Sequence, residues 1–382
     1  MTLPRCFRYN AQELRVTDRE TAMGDDKRGK TGCGKVIGYA ALGLVVLVAI
    51  FGPSDSEKRE VAEKVAEKVV DVAQGGTNDC SSLHHWERTP PPGIRYVPAD
   101  TNVVSVEEAI AELNELVGLT PVKEEVARFT SFVRVSQQRA AAGLKVAPIS
   151  YHMVFTGNPG TGKTTVARIM AKIYRALGVV RNGHLVECDR GGLVAGYTGQ
   201  TAIKTGKVID FALDGVLFVD EAYSLVNGPQ DSFGDEAIST LLKRMEDDRD
   251  RLVVIVAGYT HEMKRFIDAN SGLASRFSHY VEFPDYTVRE LGEIFRRNAK
   301  KSEYVLSADV EKHLDAYISI LTAKRDRKFG NGRWVRNLFE QAVSRQAVRI
   351  ADLKEPSKET LMTLTMKDVG IKLKDPDASD ED

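Results

Sequence analysis

One eight-residue segment combines the residue types that a phosphate-binding loop requires. It runs Gly157-Asn158-Pro159-Gly160-Thr161-Gly162-Lys163-Thr164 and matches the pattern GxxxxGK[ST]. Glycines let backbone N–H groups turn toward phosphate oxygens, the lysine ammonium neutralises them, and the threonine hydroxyl ligates Mg²⁺. A plain glycine-rich turn needs neither the lysine nor the threonine, so the segment predicts a nucleotide site. The residues expected there are Asn158, Pro159, Gly160, Thr161, Gly162, Lys163, Thr164 and Thr165.

A second group of reactive residues lies downstream, at the end of an apolar run. Residues 216–219 are followed by the adjacent carboxylates of Asp220 and Glu221. In phosphoryl-transfer sites, a carboxylate at a strand end holds Mg²⁺ and another group orients the attacking water. We therefore expect Asp220 and Thr164 at the metal and Glu221 as the base that deprotonates water, with Lys163 on the phosphates. The predicted ligands are ATP and Mg²⁺, and the predicted reaction is ATP hydrolysis.

The elements that position these motifs follow from the hydrophobic pattern between about residues 105 and 284. Ser105 and Glu108 have the spacing of a capping box and begin the first helical stretch. Alternating strand and helix patterns indicate a parallel sheet covered on both faces, so the predicted fold class is α/β. The runs expected to be strands are residues 153–156, 185–187, 216–219, 252–257 and 280–283.

The pattern beyond residue 284 predicts a second, helical domain at residues 285–352. Its clearest signal is an apolar stripe at i, i+3, i+4, i+7 and i+8, formed by Val335, Leu338, Phe339, Ala342 and Val343. Residues 105–284 then form the large α/β domain, and residues 353–382 a C-terminal extension with an acidic tail. Residues 74–101, which contain Gly75-Gly76 and Pro90-Pro91-Pro92, are expected to be an unstructured linker.

An uncharged stretch near the N-terminus predicts a membrane anchor. Residues 36–53 carry no charge and are apolar as far as residue 51, which is just long enough to cross a bilayer, since a span needs about 17–25 residues. A buried core helix and a signal-peptide hydrophobic region are the alternatives, but the flanks are polar and no small-x-small cleavage pattern follows. We expect a polar tail at 1–35, a transmembrane helix at 36–53, and a juxtamembrane helix with linker at 54–104. Met1 and Met23 both stay open as the start.

The charges that flank the expected anchor predict an orientation that conflicts with the need of the catalytic domain for ATP. Lys27, Arg28, Lys30 and Lys35 precede it, whereas charges nearly cancel after it, so the positive-inside rule places the N-terminus in the cytosol. The catalytic domain would then lie outside, where ATP is absent. Because the rule is statistical and the reaction needs ATP, we expect the domain in the cytosol or in an ATP-containing organelle matrix.

Composition restricts the partners. The formal net charge is -1 over 382 residues, which offers no whole-chain attraction to nucleic acid, so no nucleic-acid partner is expected. The four cysteines contain no CxxC pair, and this spacing suggests neither a zinc site nor a disulfide framework.

With these motifs assembled, residues from about 105 to 350 resemble the AAA+ ATPases, specifically the CbbX/CfxQ and SpoVK-like group. The resemblance rests on Leu116-Val117-Gly118-Leu119-x-Pro121-Val122-Lys123, Phe155-Thr156-Gly157-Asn158-Pro159-Gly160, Gly183-His184-Leu185-Val186, Gly215-Val216-Leu217-Phe218-Val219-Asp220-Glu221-Ala222-Tyr223 and Ala257-Gly258-Tyr259. It implies an AAA+ P-loop fold, with a parallel sheet between helical layers and a small C-terminal helical lid domain.

The resemblance also implies roles for residues outside the two motifs. Leu116–Leu119 would line the adenine pocket, with Val117 and Gly118 binding the nucleotide. Arg276 would be the arginine finger that reaches the ATP of a neighbouring subunit, and Arg333 the catalytic, nucleotide-binding sensor 2 of the lid. The sensor 1 position, which is asparagine in many members, falls here on Tyr259 or Thr260.

The resemblance further implies a pore loop at Gly196-Tyr197-Thr198-Gly199, where similar proteins grip polypeptide. A glycine-flanked aromatic residue suits sequence-tolerant contact, although a plain tight turn has the same composition. The leading hypothesis is a membrane-anchored, hexameric ring that remodels or unfolds an unknown protein substrate. The alternatives are an ATP-gated membrane scaffold that threads nothing and a red-type Rubisco activase-like remodeler, against which the anchor argues.

Overall fold

The computed structural model describes residues 90–371, apart from residues 101, 148, 198, 227–231, 324 and 326–328. The expected N-terminal tail, the transmembrane helix at 36–53, the juxtamembrane helix and the acidic tail lie outside these residues. Among the helices that are described, none is both long enough and apolar enough to cross a bilayer.

A sheet of six strands forms the centre of the described large domain. Its strands are β1 (Ile94–Val97), β2 (Met153–Gly157), β3 (Leu185–Cys188), β4 (Gly215–Val219), β5 (Leu252–Gly258) and β6 (His279–Phe283), in the spatial order β1-β3-β4-β5-β2-β6. Strands β2 to β6 are parallel, and β1 is antiparallel to β3. Every residue of β4 and β5 is buried, as is usual for central parallel strands with helices on both faces.

The five predicted strands are all present, but the predicted linker is wrong at its C-terminal end. Ile94–Val97 forms the antiparallel edge strand β1, in which Ile94 lies opposite Cys188. The strand has four residues and only partial burial, so it shows neither the alternation nor the apolar run that reveals a strand in sequence.

Helices cover the sheet on both faces. They are α1 (Val106–Asn114), α2 (Thr120–Ala141), α3 (Lys163–Ala176), α4 (Arg190–Leu193), α5 (Gln200–Ala212), α6 (Ser232–Asp247), α7 (Thr260–Asp268) and α8 (Ser271–Arg276), with a 3₁₀ turn at Ala222–Leu225. Alternate strand residues face opposite layers: Phe155 packs with α1, α2 and α3, whereas Val154 packs with α5, α6 and α7. The predicted capping box is present at the start of α1, where the Ser105 side chain accepts from the Glu108 N–H.

The lid domain follows the sheet. It contains α9 (Val288–Lys301), β7 (Val305–Leu306), α10 (Ala308–Thr322), α11 (Asn331–Ile350), α12 (Lys358–Met362), β8 (Thr363–Leu364) and α13 (Met366–Val369). The predicted apolar stripe lies on α11, where Val335, Leu338, Phe339 and Ala342 are buried.

The lid differs from its sequence prediction in two ways. It is not purely helical, because β7 and β8 pair in parallel, and strands of two residues are too short to leave a periodic signal. It also continues beyond residue 352. The buried Gln346 side chain donates to the carbonyls of Thr360, Leu361 and Thr363, so this part of the expected extension packs on α11.

Candidate active site

The phosphate loop (residues 157–164) connects the end of β2 to the start of α3. Gly157, Gly160 and Gly162 have φ values of 146°, 71° and 99°, in the left-handed region that favours glycine. A Cβ on Gly157 would lie 2.3 Å from the Phe283 carbonyl oxygen, and one on Gly160 would lie 2.1 Å from the Gly330 carbonyl oxygen. Two backbones therefore enclose the loop, and its shape fits a cradle of N–H groups at a helix N-terminus, as phosphate binding requires.

The side chain of Lys163 lies across the mouth of this loop. Its Nζ donates to the carbonyl oxygens of Gly157 at 2.7 Å and Asn158 at 2.8 Å. Burial lowers its pKa to about 8, although the Asp220 carboxylate opposes this effect. The ammonium is thus held among neutral carbonyls, where a polyphosphate would be a much stronger partner.

Asp220 and Glu221 follow β4 directly, beside the phosphate loop. The Asp220 N–H donates to the Cys188 carbonyl at 2.8 Å, and the Asp220 carboxylate accepts from the Glu221 N–H at 3.0 Å. Glu221 adopts φ 49°, a conformation unusual for a residue with a side chain. Thr164, which carries a hydroxyl, and Asp220, which carries a carboxylate, line one cavity. Oxygen donors that leave room for substrate phosphates and water are the ligand set that Mg²⁺ takes, so these residues fit the metal.

A cavity of about 820 Å³ connects the loop, the end of β4 and the lid. The predicted residues that line it, besides Tyr259, are Leu116, Val117, Leu119, Gly157, Pro159, Gly160, Gly162, Lys163, Thr164, Thr165, Asp220, Glu221 and Arg333. Gly118, Asn158 and Thr161 are not among the residues that line it. The Asn158 amide donates to the Asp285 carboxylate, and the Thr161 hydroxyl donates to the Asn158 carbonyl at 2.8 Å. A Cβ on Gly118 would clash with the Glu290 side chain, 2.0 Å away.

Tyr259, rather than Thr260, faces this cavity. Tyr259 follows β5 and is among the lining residues, whereas Thr260 is the first residue of α7. The Tyr259 ring packs against the Tyr223 ring at a centroid distance of 5.8 Å. Burial and the nearby Glu221 carboxylate raise the pKa of Tyr223 to about 12. The geometry therefore favours Tyr259 for the sensor 1 position.

The lid supplies lining residues that the sequence did not reveal. Ile294, Arg297, Asn298 and Lys301 line the cavity from α9, at positions i, i+3, i+4 and i+7 of one helix face. The spacing was visible in the sequence, but nothing indicated that this face meets the nucleotide. Arg95 and Arg168 were likewise not predicted at the site and line it, together with Arg336, which lies one turn beyond the expected sensor 2 residue Arg333.

Arg276 is not among the residues that line the cavity of its own chain. It ends α8, and its guanidinium lies 3.6 Å from the Glu246 carboxylate on α6. The Nε atom of Arg276 is buried, and within the described residues it has no hydrogen-bond partner. The structure thus separates Arg276 from the loop, the base and the metal ligands.

Tyr197 also lies outside the cavity, on a loop between α4 and α5. Its side chain is 74% exposed. The base of the loop is fixed, because the Ala195 N–H donates to the Thr201 hydroxyl and Lys204 donates to the carbonyls of Gly191 and Val194. An aromatic side chain is therefore presented to solvent from an anchored loop.

Comparisons with known proteins agree with this arrangement. Residues 153–285 match the family model described as "ATPase family associated with various cellular activities (AAA)", and residues 287–379 match the AAA lid domain. The chain is 43% identical over 268 residues to the stage V sporulation protein K of Bacillus subtilis (strain 168), covering 70% of this chain and 83% of that protein.

A second curated relative is longer than this chain. The chain is 44% identical over 282 residues to the ESX-3 secretion system protein EccA3 of Mycobacterium tuberculosis (strain CDC 1551 / Oshkosh), covering 69% of this chain but 45% of EccA3. Among solved structures, the FIGL-1 AAA domain aligns with a TM-score of 0.50 at 16% identity, over 78% of this chain and 89% of that one. At that identity the match is one of fold alone.

The low pKa of Lys163 predicts that ATP binding takes up a proton in alkaline buffer. The triphosphate charge should raise this pKa from about 8 toward the ordinary lysine value of about 10.4. At about pH 9, the free side chain is mostly neutral and the ATP-bound one is protonated. Isothermal titration calorimetry in two buffers of different ionisation enthalpy should therefore report uptake of nearly one proton per ATP.

Lys163→Arg provides the control, since arginine keeps its charge across this range. The variant should show no such uptake, and wild-type uptake should diminish at neutral pH. Equal uptake by the variant and the wild type would contradict the assignment to Lys163.

Proposed function

Since the chain belongs to the AAA+ ATPase family, whose members hydrolyse ATP, we propose that it assembles into a hexameric ring that remodels or unfolds a protein substrate. The observation that carries this proposal is the separation of Arg276 from the cavity that Lys163, Asp220 and Glu221 line. One subunit holds the groups that bind ATP and activate water. Arg276, the cation expected to stabilise the transition state, lies outside that cavity. Turnover would therefore require the Arg276 of a neighbouring subunit.

Within one subunit, each group has a defined task. The N–H groups of the phosphate loop and the Lys163 ammonium bind the phosphates, and Thr164 and Asp220 would hold Mg²⁺. When bound, Mg²⁺ neutralises phosphate charge and orients the phosphates for in-line attack. Glu221 orients the attacking water and accepts its proton, and Tyr259 would occupy the sensor 1 position in the same cavity.

Arg276 is suited to act across a subunit boundary. Its pair with Glu246 joins a guanidinium 28% exposed to a carboxylate 59% exposed, and ion pairs at such exposure are weak enough to exchange. Its buried Nε–H has no partner among the described residues, and an unpaired buried donor is costly. Once released from Glu246 and turned toward a neighbouring subunit, the guanidinium would donate to a phosphate of that subunit's ATP, and an arginine in that role accelerates phosphoryl transfer by about 10³–10⁵.

Tyr197 supports a role in pulling on polypeptide. Its exposed ring on an anchored loop offers an apolar contact that does not depend on substrate sequence. An ATP-gated scaffold would need no such tip, and this difference separates the remodeler from its main alternative.

Anchoring through residues 36–53 completes the proposal. The support is the uncharged apolar stretch in the sequence. The requirement for ATP places the catalytic domain in the cytosol or in an ATP-containing organelle matrix.

Mixing two inactive variants tests whether Arg276 acts on a neighbour. Arg276→Ala keeps the cavity intact, and Glu221→Gln keeps the arginine intact while removing the base. Each variant alone should lose ATPase activity at least a hundredfold. In equal random mixtures, about a quarter of the interfaces between subunits would pair an intact cavity with an intact arginine, so activity should return.

The control mixes Arg276→Ala with the double variant Arg276→Ala/Glu221→Gln, which should stay inactive. An absence of recovery in both mixtures, or a Glu221→Gln protein that stays monomeric with ATP, would rule out the ring.

Tyr197→Ala distinguishes remodeling from scaffolding. The variant should keep wild-type ATPase activity, because Tyr197 lies outside the cavity, and lose ATP-dependent unfolding of a bound substrate. Capture of partners on the Glu221→Gln protein supplies that substrate, and Tyr197→Phe is the conservative control. Unfolding by Tyr197→Ala at the wild-type rate would favour the scaffold.

Extraction of membranes tests the anchor. The full chain should stay in the membrane fraction in alkaline carbonate, and deletion of residues 1–53 should release it with ATPase activity retained. The double substitution Leu44→Arg and Leu47→Arg should also release it, because a charge near the bilayer centre costs about 2.5–3.5 kcal/mol. Protease added to intact cells or sealed vesicles should spare the catalytic domain, and its digestion from outside would reverse the proposed orientation.

A further inference from the structure

The first residue of α11, Asn331, is strained and fully enclosed. Its relative exposure is 0% and its φ is 45°. A non-glycine residue in this region costs about 1–2 kcal/mol, although asparagine tolerates it better than most. A buried polar side chain in a strained backbone persists where its contacts compensate for the strain.

The Asn331 amide bridges three segments of the chain. Its oxygen accepts from the Tyr286 N–H at 3.0 Å, in the connection between the large domain and the lid. Its nitrogen donates to the Asp285 carboxylate at 2.7 Å and to the Phe329 carbonyl at 3.1 Å. The same nitrogen lies 3.4 Å from the Pro159 carbonyl oxygen of the phosphate loop, a longer and weaker hydrogen bond.

Further contacts join the same three segments. The Gly332 N–H donates to the Gly160 carbonyl at 3.0 Å. The Asn158 amide donates to both oxygens of Asp285, at 2.9 and 3.1 Å. The Tyr286 hydroxyl donates to the Thr161 carbonyl at 3.2 Å. The loop carbonyls are thus bonded to the lid and to the connecting segment, while the loop glycines leave its N–H groups free to turn toward phosphates.

We infer that Asn331 is a positioning residue that couples the conformation of the phosphate loop to the orientation of the lid. Arg333 and Arg336 enter the cavity from the same end of α11. A loop ordered by phosphates presents fixed carbonyls to Asn331 and Gly332, and thereby fixes where Arg333 lies. The inference rests on the ATP-binding site described above and extends it to the lid.

Gln346 provides a matched comparison on the same helix. It is also a buried amide, with 2% relative exposure, and its nitrogen donates to three carbonyls. All three belong to the lid, whereas the partners of Asn331 include the phosphate loop and the connecting segment. Loss of either amide removes buried hydrogen bonds, but only the loss of Asn331 breaks contacts between domains.

The test compares Asn331→Gly with Gln346→Ala. Glycine accepts the φ of 45° without strain, so the first variant deletes the amide and keeps the backbone. Its KM for ATP should rise about tenfold or more, because binding must now order the loop and the lid separately. Gln346→Ala should lower the melting temperature comparably and leave KM within about twofold of wild type.

Hydrogen exchange provides a second readout, which a loss of stability alone would not change. In a Glu221→Gln background, ATP should slow exchange in the phosphate loop and in α9 and α11. With Asn331→Gly added, ATP should still protect the loop and no longer protect the lid helices. With Gln346→Ala added, both should stay protected. Equal KM and equal lid protection in the two variants would overturn the inference.

A charge-swapped pair covers the case in which Asn331→Gly does not fold. Asn331→Asp alone places two carboxylates at the 2.7 Å contact and should destabilise the protein. Adding Asp285→Asn restores a donor and an acceptor there, so stability should recover in part; the bond to the Phe329 carbonyl and one of the two bonds from Asn158 stay lost. An aspartate at position 331 has no N–H to donate to Pro159, and KM should therefore stay raised.

A wild-type KM in this double variant would contradict the inference. Failure of the wild-type protein to bind ATP would instead refute the proposed function itself.

Discussion

The position of the phosphate loop between two backbones is the constraint on which the rest of the structure depends. The end of β6 lies against Gly157, and the residue before α11 lies against Gly160, each too close to admit a Cβ. The loop is thus confined on two sides, as a cradle of N–H groups for phosphate requires. The spatial order β4-β5-β2 then brings Asp220, Tyr259 and the loop together, because the carboxyl ends of adjacent parallel strands share one edge of the sheet.

The same enclosure explains why the lid is part of the site. Its cavity-facing residues come from α9 and α11. The first residues of α11 also contact the phosphate loop, through Asn331 to the Pro159 carbonyl and Gly332 to the Gly160 carbonyl. The lid core is continuous with the core on the α1–α3 side of the sheet, where Phe295 and Val335 join Phe155 in one cluster. A change in the loop therefore acts on a packed body, and packed bodies move as units rather than deform gradually.

The parts that the sequence could predict are those in which spacing alone carries the chemistry. The phosphate loop, Asp220 and Glu221, the five parallel strands and the stripe on α11 all follow from local patterns. The edge strand β1 and the β7–β8 pair are too short to show a period. Asn331 shows no local signal, because its partners Pro159 and Asp285 lie 172 and 46 residues away in sequence. Tyr259 and Thr260 are adjacent in sequence, and the structure distinguishes them because Tyr259 lines the cavity whereas Thr260 begins α7.

The structure also connects the reactive edge of the sheet to the exposed loop at Tyr197. That loop lies between β3 and β4 in sequence, and the end of β3 is bonded to the residue that begins the carboxylate pair, through the Cys188 carbonyl and the Asp220 N–H. From α4, the Arg190 guanidinium donates to the Ser224 carbonyl at 2.8 Å, in the 3₁₀ turn that follows Glu221. Lys204 of α5 holds the carbonyls of Gly191 and Val194, so hydrogen bonds connect the carboxylate pair to both ends of the loop that carries Tyr197. The lid is joined to the phosphate loop through other groups, the carbonyls of Pro159 and Gly160.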